Sequence, residues 1–184
     1  MLRALARAFV GKMERDWNYD ATYMRDLIAA SPWTFAKFAV VTMLVGRRDA
    51  PGEALAAAGI VGTVAEDCGP CTQISVDMAA RGGVPAPVLR AILAGDRAGM
   101  GQAASLSYDF AREVLEKRLE EADALRDEIV RRWGMKGLTA ISLALTTARM
   151  YPTLKYALGH GKTCSKVSVA GEPMPVAKPL PLAA

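Results

Sequence analysis

Cys68 and Cys71, in Cys68-Gly69-Pro70-Cys71, are the clearest chemical signal in this 184-residue sequence. The spacing permits a reversible disulfide across a single turn. If the pair opens a helix, the unpaired backbone N–H groups and a dipole of about half a positive charge stabilise a thiolate there. Pro70 suits that position, because its missing N–H would have no intrahelical partner in the first turn. A thiol so placed can fall from about 8.5 into a range of roughly 3.5–7.5. Each unit is about 1.4 kcal/mol in favour of the thiolate. Glu66-Asp67 before the pair suggest a turn into the helix, where a thiol is reachable. The alternative is two buried cysteines acting as small apolar side chains.

Other groups offer less. Cys68, Cys71, His160 and Cys164 make a formal zinc set, but nearly ninety residues separate its halves, unlike a compact zinc module. His160 is the only histidine, so any imidazole base must be this one; in Gly159-His160-Gly161 it reads as a helix cap or loop residue. Cys164 is left as a free thiol once Cys68 and Cys71 pair. Nine Met and three Trp read as core filling, with no cofactor box, and neither a Walker nor a Rossmann glycine pattern is present. No cofactor is expected.

These residues need elements to hold them, and composition points to helices. Alanine occurs 33 times, against 20 for Val and Ile together. Ala favours helix, and Val and Ile favour strands. With 52% hydrophobic residues, the chain can bury a sizeable core. The net charge of +4 is spread without any basic run longer than two residues, too little for a nucleic-acid footprint. Pro32 to Val45 is the most apolar stretch. Its fourteen residues, interrupted by Lys37, fall short of the roughly 20 that span a membrane. The N-terminus reads as an amphipathic helix through Trp17, not a secretion signal, so a cytoplasmic setting is expected. In that compartment a lasting disulfide is more often catalytic or redox-sensing than structural.

Punctuation divides the chain. Asp20 caps a helix to about Ala30, and Ser31-Pro32 open another that Gly46 and Arg47-Arg48-Asp49 close. Pro51 to Glu66 reads helical, and Gly69-Pro70 to Gly82-Gly83 carries the cysteines. Pro85 and Pro87 open a short helix to Ala94, followed by a glycine-rich connection through Gly101. Tyr108 to Trp133 reads as one long amphipathic helix ended by Gly134, and Gly137 to Leu158 as a final, central one. After Gly171 four prolines predict an extended tail. The organisation expected is N-terminal helices over residues 1–50, a helical core over 51–169 and the tail over 170–184.

Cys-Gly-Pro-Cys alone suggests thioredoxin, but that needs a preceding strand, and here an alanine-rich helix leads in. The segment from Glu66 to Val84, with the helix order from Pro51 to Leu158, resembles instead the alkyl hydroperoxidase D / carboxymuconolactone decarboxylase family. There a Cys-x-x-Cys opens a helix ending in alanine-rich turns and a glycine. The resemblance implies an all-α, alkyl hydroperoxidase D-like helical bundle, assembled as a homo-oligomer, which light scattering checks. It implies that Cys71 is the reactive thiol and Cys68 its disulfide partner. It also implies a proton relay, with histidine where this chain has Ser75 and glutamate where it has Ala56. Neither residue titrates. A Ser hydroxyl passes a proton along hydrogen bonds but is not a base. Glu66 and Asp67, or Glu53 in another register, are the carboxylates that can substitute.

Two function classes follow. One is a thiol–disulfide oxidoreductase or peroxidase-like antioxidant enzyme, taking a peroxide or disulfide substrate and a thiol reductant through Cys71 and Cys68, with Glu66 and Ser75 in supporting roles. The other is a non-catalytic or lactone-decarboxylase-like member of the same fold that acts as a binding or scaffold protein.

Overall fold

The computed structural model describes residues 1–43, 48–161 and 167–177. Among these, eight helices and two short strands account for the regular structure, so the chain is mostly helical as its composition predicts. The helices are α1 (Leu2–Trp17), α2 (Thr22–Ala30), α3 (Pro32–Met43), α4 (Gly52–Ala65), α5 (Gly69–Arg81), α6 (Ala86–Ala94), α7 (Arg97–Leu115) and α8 (Leu119–Ala157). The strands are β1 (Val167–Val169) and β2 (Glu172–Met174). Among the described residues no helix is long and apolar enough to cross a membrane.

The starts follow local chemistry. Asp20 Oδ1 accepts from the Thr22 N–H and hydroxyl at 3.0 and 2.6 Å, which closes the way into α2. Ser31 Oγ accepts from the Thr34 N–H at 3.2 Å, the bond expected of an N-cap, with Pro32 next in line. Proline also precedes or opens α4, α5 and α6. The expected stop at Gly46-Arg47 and the thiol of Cys164 lie outside the described residues.

α4 is apolar on nearly every side and is the pillar of the core, packed by α7 on one flank and α8 on another. Ile60, Leu89, Ile92, Ile129 and Ile141 are fully buried around it. A Cβ on Gly62 would lie 2.9 Å from the Leu145 carbonyl oxygen, so glycine is what lets α4 and α8 approach. A second cluster joins α1, α2 and α3 through Val10, Tyr23, Met24, Ile28 and Phe35, and rests on Ile74 of α5 and Tyr151 of α8.

Three expectations need correcting. Tyr108–Trp133 is not one helix: α7 ends at Leu115 and α8 starts at Leu119. The break is made by Lys117 in the left-handed region (φ 58°), with Arg118 N–H returning to Glu113 O at 3.0 Å. The glycine-rich connection is helical from Arg97 and kinks at Gly101 (φ 75°). The segment after Gly171 is extended as expected, and there β2 pairs antiparallel with β1 across Ala170-Gly171, both at positive φ. Trp33 is not core filling; it is 70% exposed. Gly134 does interrupt the helical path as expected, as a kink inside α8.

Candidate active site around Cys71

The turn before α5 is tied from α8. Arg149 Nε donates to Glu66 Oε1 at 2.6 Å, and the Tyr156 hydroxyl donates to the carbonyls of Glu66 and Asp67 at 2.9 and 3.0 Å. Asp67 then turns through the left-handed region (φ 49°), and Cys68 stands extended as the N-cap residue. The Cys68 carbonyl accepts the Thr72 N–H at 2.8 Å and the Thr72 hydroxyl at 3.0 Å, which starts the helix. Cys71 therefore lies within the first turn, as the spacing predicts. On the far side Gln73 clamps β1: its Nε2 donates to Ser168 O at 3.1 Å and its Oε1 accepts the Ser168 N–H at 2.7 Å.

Cys68 and Cys71 are joined as a disulfide, with Cα atoms 5.2 Å apart. That separation falls inside the usual range of about 4.4–6.8 Å. Both residues are buried, but Cys71, only 2% exposed, forms part of the wall of a cavity of about 610 Å³. The cavity lies between the N-terminal helices and α4, α5 and α8, and its lining is mostly apolar and aromatic. Two charged side chains line it, Lys12 and Asp16. They pair with each other at 2.5 Å and are both exposed, which places them at the mouth. Arg81 stacks on the Trp17 ring at 3.7 Å and donates to the Asp16 carbonyl, tying the end of α5 to the end of α1 beside that mouth.

Ser75 and Ala56, the positions to which the resemblance assigns a histidine and a glutamate, both line the cavity with Cys71. The two positions thus share a cavity with Cys71, but with side chains that carry no titrating group. Glu66 is turned the other way, into its ion pair with Arg149, and neither Glu66, Asp67 nor Glu53 lines the cavity. His160 is also elsewhere: its Nε2 lies 2.7 Å from Asp26 Oδ2, and its N–H bonds Lys155 O at 2.9 Å to finish α8. With Cys68 and Cys71 joined to each other and His160 on Asp26, these three do not converge as zinc ligands.

A group far away in sequence reaches the sulfur. The Tyr19 hydroxyl lies 3.8 Å from Cys71 Sγ, and the Tyr23 hydroxyl lies 3.3 Å from that of Tyr19. Lys155, 3% exposed, holds its Nζ 5.5 Å from the Tyr19 ring centre and 6.0 Å from that of Tyr23. Burial pushes the Tyr19 phenol above its ordinary value of 10.0, and it pushes Tyr23 up further still. Both phenols are therefore neutral donors at any physiological pH.

Comparison with protein-family models, with curated proteins and with solved structures finds no significant match to this chain. The chemistry is accordingly argued from the site's own geometry.

Proposed function

We propose that the chain is a thiol–disulfide oxidoreductase that reduces hydroperoxides through Cys71, with Cys68 as the resolving thiol. The observation that carries this reading is the placement of Cys71: it is bonded to Cys68 and forms part of the wall of an apolar cavity large enough for a substrate. The likeness of the Glu66–Val84 segment to the alkyl hydroperoxidase D / carboxymuconolactone decarboxylase family supports the same assignment.

In the cycle proposed, the Cys71 thiolate attacks the terminal oxygen of the hydroperoxide. An S–O bond forms, the O–O bond breaks, and the alkoxide leaves with a proton as the alcohol. The Cys68 thiol then attacks the Cys71 sulfenic acid; an S–S bond forms and the hydroxyl departs as water, carrying the proton from Cys68. A dithiol reductant reopens the disulfide by two exchanges and is itself oxidised to a disulfide. The dipole of α5 stabilises the attacking thiolate. Ser75 and Ala56 supply no base, so the rate should be modest.

One specific observation favours a second reading. A large apolar chamber whose two relay positions are Ser75 and Ala56 also suits a protein that binds an apolar ligand without turning it over. Hydroperoxide consumption by the reduced protein with a dithiol reductant separates the two. Cys71→Ser should abolish it. Cys68→Ser should allow one oxidation, leaving a sulfenic acid detectable by mass spectrometry and no turnover. Equal turnover in parent and both variants, or none in the parent, would remove the peroxidase reading.

A further inference from the structure

We infer that Tyr19 is the hydrogen-bond donor that steadies Cys71 as a thiolate, with Tyr23 and Lys155 aligned behind it, so that the N-terminal helices complete a site whose cysteines lie on α5. A sulfur in a disulfide carries no proton, so across the 3.8 Å between Tyr19 Oη and Cys71 Sγ only the phenol can donate. The Tyr19 hydroxyl has one proton and two neighbours, Tyr23 Oη at 3.3 Å and the sulfur at 3.8 Å. Giving that proton to the sulfur requires the Tyr23 hydroxyl to turn and donate to the Tyr19 oxygen, so that the donors run from Tyr23 through Tyr19 to the sulfur.

When the disulfide opens, negative charge develops on the atom this chain already faces. A hydrogen bond to an ionised acceptor is roughly twice as strong as a neutral one. Lys155 strengthens it further. An ammonium over a phenol ring draws on the electron density of its face and makes the hydroxyl a better donor. The groups acting on the Tyr19 donor are Tyr23 from α2 and Tyr151 and Lys155 from α8. Asp20, next to Tyr19, opposes ionisation of the phenol. Because burial keeps both phenols protonated, they give hydrogen bonds and do not remove protons. The site therefore replaces the missing base with a device that makes the thiol more acidic.

The inference deepens the redox reading of the pair and rests on it, but its test needs no turnover. The reduced full-length protein is alkylated with iodoacetamide across pH, and the rate at Cys71 is read peptide by peptide so that Cys68 and Cys164 do not interfere. The equilibrium of the pair with glutathione is measured alongside. Tyr19→Phe, which keeps the ring and its packing, should raise the Cys71 titration by about one unit. That ten-fold is shared between the readouts: a thiol titrating above neutral pH shows it as about ten-fold less thiolate, and one titrating below shows it as a glutathione equilibrium moved up to about ten-fold toward the disulfide. Lys155→Met and Tyr23→Phe should shift both readouts the same way by less. A Tyr19→Phe profile that superimposes on the parent overturns the inference, even if the protein consumes hydroperoxide. A shifted profile in a protein that consumes none upholds the donor and removes the peroxidase reading instead.

Discussion

Ala57 and Ala56 are neighbours on α4, yet they face two different kinds of interior. Ala57 is fully buried among the apolar side chains that α4, α7 and α8 press together. Ala56 borders the cavity that the N-terminal helices roof over. On the first side the interior is filled by aliphatic residues such as Ile92, Ile129 and Ile141, and Gly62 even gives up its side chain for closer contact. On the second side space is left open, and polar atoms line it: two phenols and the sulfur of Cys71. Close packing supplies stability because each lost contact leaves a void. An open chamber supplies none, and on the redox reading proposed above it is the space beside Cys71 in which a substrate has room.

Three changes would break or sharpen that contrast. The largest concerns Ser75. An imidazole there has the cavity to occupy and restores a base beside Cys71, so Ser75→His should raise the peroxide reduction rate by about 10²–10⁴, the usual worth of general-base assistance. Stopped-flow kinetics reads this, and a rate that falls together with the melting temperature would mean that the cavity wall is packed like the core. Next comes the alanine pair. Ala57→Leu forces extra volume into filled space and should destabilise by about 1–3 kcal/mol in chemical denaturation. Ala56→Leu grows into the chamber, and its cost should stay below about 1 kcal/mol. Equal costs at the two positions would erase the distinction.

The smallest effect at neutral pH belongs to Tyr23, and its signature is alkaline. Burial raises the folded-state pKa of Tyr19 and Tyr23 above the ordinary 10.0, so ionising them is harder in the fold than in the unfolded chain. Their contribution is constant below pH 10.0 and is lost as the pH rises beyond it. Tyr23→Phe should therefore lose about 1 kcal/mol at neutral pH for its hydrogen bond and decline less steeply above pH 10 than the parent. Denaturation midpoints measured from pH 7 to 11 give both slopes, and parallel curves would place the tyrosines in solvent contact.

The legible parts of this fold were those decided within a few residues. Ser31-Pro32, Pro51, Gly69-Pro70 and Pro85 mark helix starts because caps and proline act on their own turn. The same holds for the position of Cys71 in the first turn of α5. The break at Lys117 escaped because a lysine, not a glycine, takes the left-handed conformation there, held by Arg118 bridging to the Glu113 carboxylate. Helix at Arg97–Met100 escaped because glycines on either side read as a loop. Tyr19 was out of reach for a deeper reason. It is 52 residues from Cys71, and only the packing of the α1–α3 layer on α5 and α8 brings the two together. Glu66 looked available as a proton carrier because it precedes Cys68, and the sequence gives no hint that Arg149, 83 residues on, holds it.

The clamp between Gln73 and Ser168 sets a timetable for a chain made from its N-terminus. Cys68 and Cys71 are three residues apart and meet as soon as one turn of helix forms. The Gln73 carboxamide has a near partner in Asp77, but Ser168 lies 95 residues further along and is synthesised after every described helix. Contacts of long sequence separation form late, because a long loop must close first. Oxidation of the pair can therefore precede completion of the helix surface that carries it. A nascent chain in a reducing compartment depends on the surrounding thiol pool, not on its own finished architecture, to keep Cys71 reduced until β1 arrives.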